Sequence, residues 1–401
     1  MKRIFITGYG FLGCLGETKE KMHHILEKGE IRAGIIKRFS TDNLMNNYAF
    51  EIRDDINYIQ YIPASLLRRM DNPQKYLIYS AMKALEDAGM SKEDAKTPAI
   101  FAGTSFGGTD WTERFFVDIL SKGPKFANPQ YFPPSVPNAA AGQLSILLEN
   151  RQKNHTFCHK EVSGEMALYT AIRDMRYKGS DSGLVVGFEE LGLFVMLAFE
   201  KMRVLLKKGG RFSPFIARDG FIMGEGSAAV ILETGENIEK RGFTPIAEIT
   251  GIYSASSNAG IYEYPRERDF YVNTMENALK SAGISYSDLN LVISCANSGI
   301  LDEYERDALV CLNKKHGADI PVFAPKGYTG EFYGSGIMRL AIALLSMEKG
   351  IIYPHSWIEK DPGYGIDIYR TGPLKRKLDN ILINSFSNGG SGISYIIKRY
   401  E

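Results

Sequence analysis

Short apolar runs rich in Ile and Val recur along this 401-residue chain, separated by stretches of helical periodicity. A strand with one wet face alternates apolar and polar residues, whereas an unbroken apolar run needs cover on both faces. The pattern predicts an α/β protein whose strands are buried between helices. Predicted strands are 4–7, 99–103, 183–187, 227–233, 291–295, 322–324, 380–385 and 393–398. Asn72-Pro73 opens a helix, with Asn72 as N-cap and Pro in the first turn. Leu77, Ala81, Ala84, Leu85 and Ala88 form its apolar face, and Gly89 stops it. A second helix runs from Ser163-Gly164 to Gly179, with Ala167, Ala171, Ile172 and Met175 inward. A third covers about 268–282 and a fourth 336–347. No linker-like tract divides the chain. The polar stretch 233–245 is the candidate junction, and the halves share no direct sequence repeat.

Lys plus Arg is 48 and Asp plus Glu is 47, which excludes a nucleic-acid protein built on bulk basic charge. No apolar run reaches the ~18 residues of a membrane helix. The run 4–7 meets Gly8 too early to be a signal-peptide core, so a soluble cytoplasmic protein is expected. Cys14, Cys158, Cys295 and Cys311 are scattered, with no CxxC pair, so neither a metal site nor a disulfide framework is expected. The six His residues lie away from every motif.

Three Gly-rich places punctuate the pattern. Gly103-Thr104-Ser105-Phe106-Gly107-Gly108 has neither phosphate-loop nor dinucleotide spacing and reads as a tight turn. Arg218-Asp219-Gly220-Phe221-Ile222-Met223-Gly224-Glu225-Gly226 leads into a strand, and Asn384 to Gly392 lies between the last two. Glu161-Val162-Ser163-Gly164 sits where a strand becomes a helix, at free backbone N–H groups that favour negative charge. Enzymes place Ser or Cys nucleophiles at such elbows; this elbow carries Glu.

In this order and spacing the motifs resemble those of the β-ketoacyl-acyl-carrier-protein synthases, over nearly the whole chain. The resemblance is carried by Thr7-Gly8-Tyr9-Gly10, the complete 218–226 motif, Pro134-Ser135-Val136-Pro137-Asn138, Lys326-Gly327-Tyr328-Thr329-Gly330, and Asn384-Ser385-Phe386 with Gly389-Gly390. It implies a thiolase fold of two similar halves, layered α-β-α-β-α. Residues 1–240 would hold the degenerate elbow and 241–401 the degenerate His loops. Condensing members use one Cys and two His. The Cys position falls on Glu161 and the second His on Glu331; the first His falls on Asn297, or on Ser294 in a gap-free register. Lys326, Glu305, Arg218 and Asp219 match the family motifs. Cys158, just before the elbow, and Cys295 read as small buried hydrophobes. No cofactor or metal is implied.

The resemblance is strongest to the branch without the Cys, the chain length factors of type II polyketide synthases. It implies a non-catalytic subunit paired with a ketosynthase that supplies the Cys-His-His site and is served by an acyl carrier protein. Neither nucleic acid nor membrane is an expected partner. Thr109, Thr112 and Phe116 match tunnel-lining positions, or pack as an ordinary interface helix. Pro134 to Asn138 match the dimer-interface loop, and Asn388 replaces the family's gate residue, usually Phe. Glu161 and Glu331 are expected close together, either plugging the old pocket with Lys326 or having drifted after catalysis was lost. Two other readings stay open: a malonyl-carrier-protein decarboxylase or other Glu-based enzyme, and a non-enzymatic homodimeric acyl-binding protein.

Overall fold

The computed structural model describes residues 2–177, 179–368 and 370–400. Among them, one large sheet has ten strands. In chain order these are β1 (Ile4–Gly13), β2 (Ala99–Gly103), β3 (Asn154–Phe157), β4 (Ser182–Glu189), β5 (Gly226–Thr234), β6 (Ala247–Ser256), β7 (Leu291–Ile293), β8 (Val322–Phe323), β9 (Asn380–Ser387) and β10 (Ser391–Arg399). Their order across the sheet is β8-β7-β9-β10-β6-β1-β5-β4-β2-β3. Each half therefore places its first strand beside its fifth, and repeats the same parallel and antiparallel pairings. The halves meet at β1 and β6 through only two residue pairs, Phe5 with Glu248 and Ile6 with Ala247. This duplication was invisible as a sequence repeat.

Six helices matter for the site: α1 (Asn72–Asp87), α2 (Thr109–Lys122), α3 (Ser163–Tyr177), α4 (Arg268–Ala282), α5 (Leu301–His316) and α6 (Ser335–Lys349). Along β5, Ala228, Val230 and Leu232 join the core shared with α3 and α6, while Ala229 and Ile231 face the α1 side. That alternation, both sides apolar, is why the strand reads as an unbroken hydrophobic run. α3 packs on α6, and α6 touches both halves of the sheet. α4 packs on β6 and β10, and α5 packs on α4. The result is the α-β-α-β-α thiolase layering.

Several boundaries differ from expectation. The N-cap of α1 is Asp71, not Asn72: Asp71 accepts from Gln74 N at 2.9 Å and the Gln74 side chain accepts from Asp71 N, a capping box. β1 continues through Gly8 and Gly10 to Gly13 because those glycines lie against α1. A Cβ would sit 2.4 Å from Ala88 N at position 8 and 2.4 Å from Lys83 Cβ at position 10. The predicted end of α3 runs through residue 178, which lies outside the described residues.

Candidate functional site

β3 ends at Phe157, and the chain turns through Lys160, held at φ 52°, into α3. The Ser163 hydroxyl accepts from His159 N and donates to the Lys160 carbonyl, at 2.8 and 2.7 Å, which closes the elbow. β2 ends against it: a Cβ on Gly103 would lie 2.3 Å from the Ser163 carbonyl oxygen. This delivers Glu161 into the interior at 4% exposure. One carboxylate oxygen accepts from Tyr264 OH at 3.1 Å and Asn388 Nδ2 at 2.9 Å; the other accepts from Ser387 OH at 2.6 Å. Burial raises this carboxyl's pKa and the Glu331 charge adds to the rise, while the Ser387 donor and the Lys326 charge oppose it.

Glu331 follows Gly330, whose φ of 69° turns the chain after a helical turn at Lys326–Thr329. The 218–226 motif holds it in place: Glu331 N donates to the Ile222 carbonyl at 2.8 Å and Gly224 N to the Glu331 carbonyl at 2.9 Å. Gly224 has no room for a Cβ, which would lie 2.1 Å from the Thr329 carbonyl oxygen. One Glu331 carboxylate oxygen accepts from Lys326 Nζ and from Asn297 Nδ2, both at 2.6 Å. The other is buried without a partner. Asn297 lies in the loop after β7, which Asp302 of α5 pins by accepting from the backbone N–H groups of Asn297, Ser298 and Phe215.

The geometry thus joins Asn297, not Ser294, to Glu331. Ser294 donates instead to Glu305, at 2.6 Å, which also accepts from Cys295 N and Asn384 Nδ2 and ties β7 to β9. Lys326 bonds Glu331 and not Glu161, and the group does not fill the space. A cavity of 420 Å³ remains, lined by Glu161, Asn297, Asn388, Tyr264, Tyr304 and Tyr333, with Arg203, Lys207, Arg218 and Arg266 also around it. Phe106 stacks behind its wall, 5.3 Å from Tyr333 and 5.9 Å from Phe199. Arg218 is exposed and paired with Glu303; Asp219 accepts from Arg211 N. Among the described residues no group of three or more His, Cys, Asp or Glu is arranged to hold a metal.

One other expectation needs correction. Cys158 is exposed, not buried, because β3 is the outer strand of the sheet and the chain leaves it at Phe157. Cys295 is buried. Thr109, Thr112 and Phe116 lie on α2 at different depths. Thr109 is buried with its hydroxyl donating to Glu190, Thr112 OH donates to the Gly108 carbonyl, and Phe116 is half exposed. In the loop 134–138, Pro134 is buried whereas Val136 and Asn138 are exposed. Sequence reasoning missed Tyr264 and Ser387, two of the donors to Glu161. Ser387 adjoins Asn388, already singled out, which was the available signal. Tyr264 lies more than a hundred positions away on a loop, with none.

The layered fold and the meeting of the elbow with loops after β7, β8 and β9 define the class of thiolase-fold condensing proteins. The chain belongs to the β-ketoacyl synthase family: the family's N-terminal domain matches residues 1–237 and its C-terminal domain residues 246–359. It is 25% identical to a 3-oxoacyl-[acyl-carrier-protein] synthase 2 of Coxiella burnetii over 99% of both chains. It is 28% identical to the protein of that name from Rhizobium meliloti, over 100% of this chain and 99% of the relative. Among solved structures it is similar to a β-ketoacyl synthase from Burkholderia phymatum (TM-score 0.89, 21% identity) and to the ishigamide ketosynthase/chain length factor (TM-score 0.91, 21% identity), each covering 100% of both chains.

Proposed function

We propose that this chain is a non-catalytic ketosynthase-fold subunit, a chain length factor, that pairs with a catalytic ketosynthase in the cytoplasm. The observation that carries this reading is the state of Glu161. At the elbow, where a nucleophile would have to be free, a carboxylate is tied down by three donors. A carboxylate is a weak acyl acceptor, and a nearby anion disfavours a malonyl carboxylate. Asn297 and Glu331 bond each other at the positions that the resemblance assigns to imidazoles.

A partner surface supports the pairing. The outer edge of β3 is open, and Phe116, Val117, Leu120, Phe126, Phe132, Val136 and Ile146 are exposed, Leu120 at 85% and Ile146 at 71%. An open strand edge and a run of exposed apolar side chains are each surfaces that a partner can cover. The proposed occupant is a ketosynthase of the same fold with an intact Cys-His-His site, which accepts chains from an acyl carrier protein while this subunit shapes the shared tunnel. A structure of the ketosynthase AntDE with its acyl-carrier protein AntF, sharing this fold, offers a precedent for such an assembly.

Co-expression with a Cys-His-His ketosynthase followed by size-exclusion chromatography and a condensation assay tests the reading. The expected result is a heterodimer that condenses only when the partner's Cys is intact. Acetyl-carrier protein produced from malonyl-carrier protein by this chain alone would favour the decarboxylase reading, and a homodimer that ignores the ketosynthase would favour the acyl-binding one.

A further inference from the structure

Behind the elbow lies a second cavity, of 330 Å³, lined among others by Cys158, Lys160, Ile261, Asn388 and Gly389. Asn388 lines both this cavity and the larger one that ends on Glu161. The material between them is a polar chain and not an apolar wall. Asn388 Nδ2 donates to Glu161 at 2.9 Å, and Asn388 Oδ1 accepts from Lys160 Nζ at 2.8 Å. Lys160 Nζ also donates to the Ile261 carbonyl. Lys160 reaches this position from a left-handed backbone, φ 52°, which a long side chain adopts at a cost. Gly389, at φ 81°, leaves room for it: a Cβ there would sit 2.9 Å from Lys160 Nζ. Three segments, the elbow, the loop that carries Ile261 and Tyr264, and the turn after β9, are bolted together at one amide.

We propose that Lys160 and Asn388 form a partition that divides one passage into two cavities and so limits the length of linear chain the larger cavity accepts. This rests on the reading that the larger cavity receives a carrier-borne chain, but it needs no chemistry there. A chain crossing the partition has to displace the Asn388 amide. That costs the buried Glu161 carboxylate one of its three donors, at a site where an unmade hydrogen bond is costly. Removing Asn388 removes that obstacle, and removing Lys160 lowers it, because the amide is then held by Glu161 alone. Both side chains are half-buried, so neither substitution opens the core.

The test is binding of S-alkyl pantetheine thioethers, from ethyl to dodecyl, to the full chain and to Asn388→Ala and Lys160→Met, read by calorimetry. Thioethers neither transfer an acyl group nor decarboxylate, so the outcome is independent of whether the chain is catalytic. The native protein is expected to gain affinity with chain length, roughly fourfold for each methylene buried, and then reach a plateau. In the variants the rise should continue beyond that plateau. Asn388→Ala removes the amide itself, and Lys160→Met, which leaves the amide bonded to Glu161, is expected to move the plateau by less. The same plateau in the native protein and a folded variant overturns the partition, as does the absence of thioether binding in all three proteins.

Discussion

Glu161 sets the chemistry at the smallest scale. Glu161→Cys alone is expected to yield no condensation in a carrier-protein assay, because Asn297 and Glu331 supply no imidazole; activity in that single variant would show that the site was one residue from competence. Glu190 offers a test of a buried carboxyl. Burial raises its pKa to about 8 from 4.5, helped by the Asp71 charge, although Thr109 OH and Asp110 N donate to it. A carboxyl raised on folding holds its proton more tightly folded than unfolded. The stability it lends is complete below about 4.5 and drains away as pH rises to about 8. Glu190→Gln should therefore flatten the fall in unfolding temperature across that window, and equal slopes for variant and native would count against the assignment.

At the scale of elements, α2 and the edge strand β3 carry the surface we propose for a partner. Leu120→Asp removes one exposed apolar contact and adds a charge where β3 and α2 would be covered. Burial of a Leu side chain contributes about 1.5–3 kcal/mol, so the ketosynthase complex should weaken ten- to a hundredfold while the unfolding temperature of the isolated chain stays unchanged. Unaltered co-elution would move the interface elsewhere. The central strands were legible because apolar runs such as 228–232 record cover on both faces. β3 escaped because its sequence, Asn-His-Thr-Phe, is that of a wet edge. β6 escaped because polar residues interrupt it towards its exposed end, and α5 because charges crowd its surface. The positions of Glu161, Glu331, Asn297 and Lys326 were readable from motif order. Tyr264 was not, since only tertiary folding brings its loop to the elbow.

Across the whole molecule, the two halves are held by their central helices more than by their sheet. Arg339 of α6 is fully buried and paired with Glu165 of α3, and it also donates to the Asn384 carbonyl and Ser385 OH of β9. One guanidinium thus links α3, α6 and the C-terminal half of the sheet. Breaking a buried pair by deleting one partner strands the other charge, typically costing about 3–5 kcal/mol. Arg339→Ala should destabilise the protein by that order in denaturant titration. Arg339→Met combined with Glu165→Gln should recover much of the loss, and a double variant no better than the single would place the contribution in the β9 bonds instead.

The strand order also dictates a schedule for the growing polypeptide. β1 is made long before its long partner, β5, which closes only at Thr234, and β6 waits for β10, which ends at Arg399. Each half must hold its first strand without its long partner through most of its own synthesis. Such long-range closure is slow and exposes sticky surface meanwhile. A nascent chain stalled before β10 would carry β6 with one edge bare, so β10 decides whether β6 is joined to the β8-β7-β9 sheet of the C-terminal half.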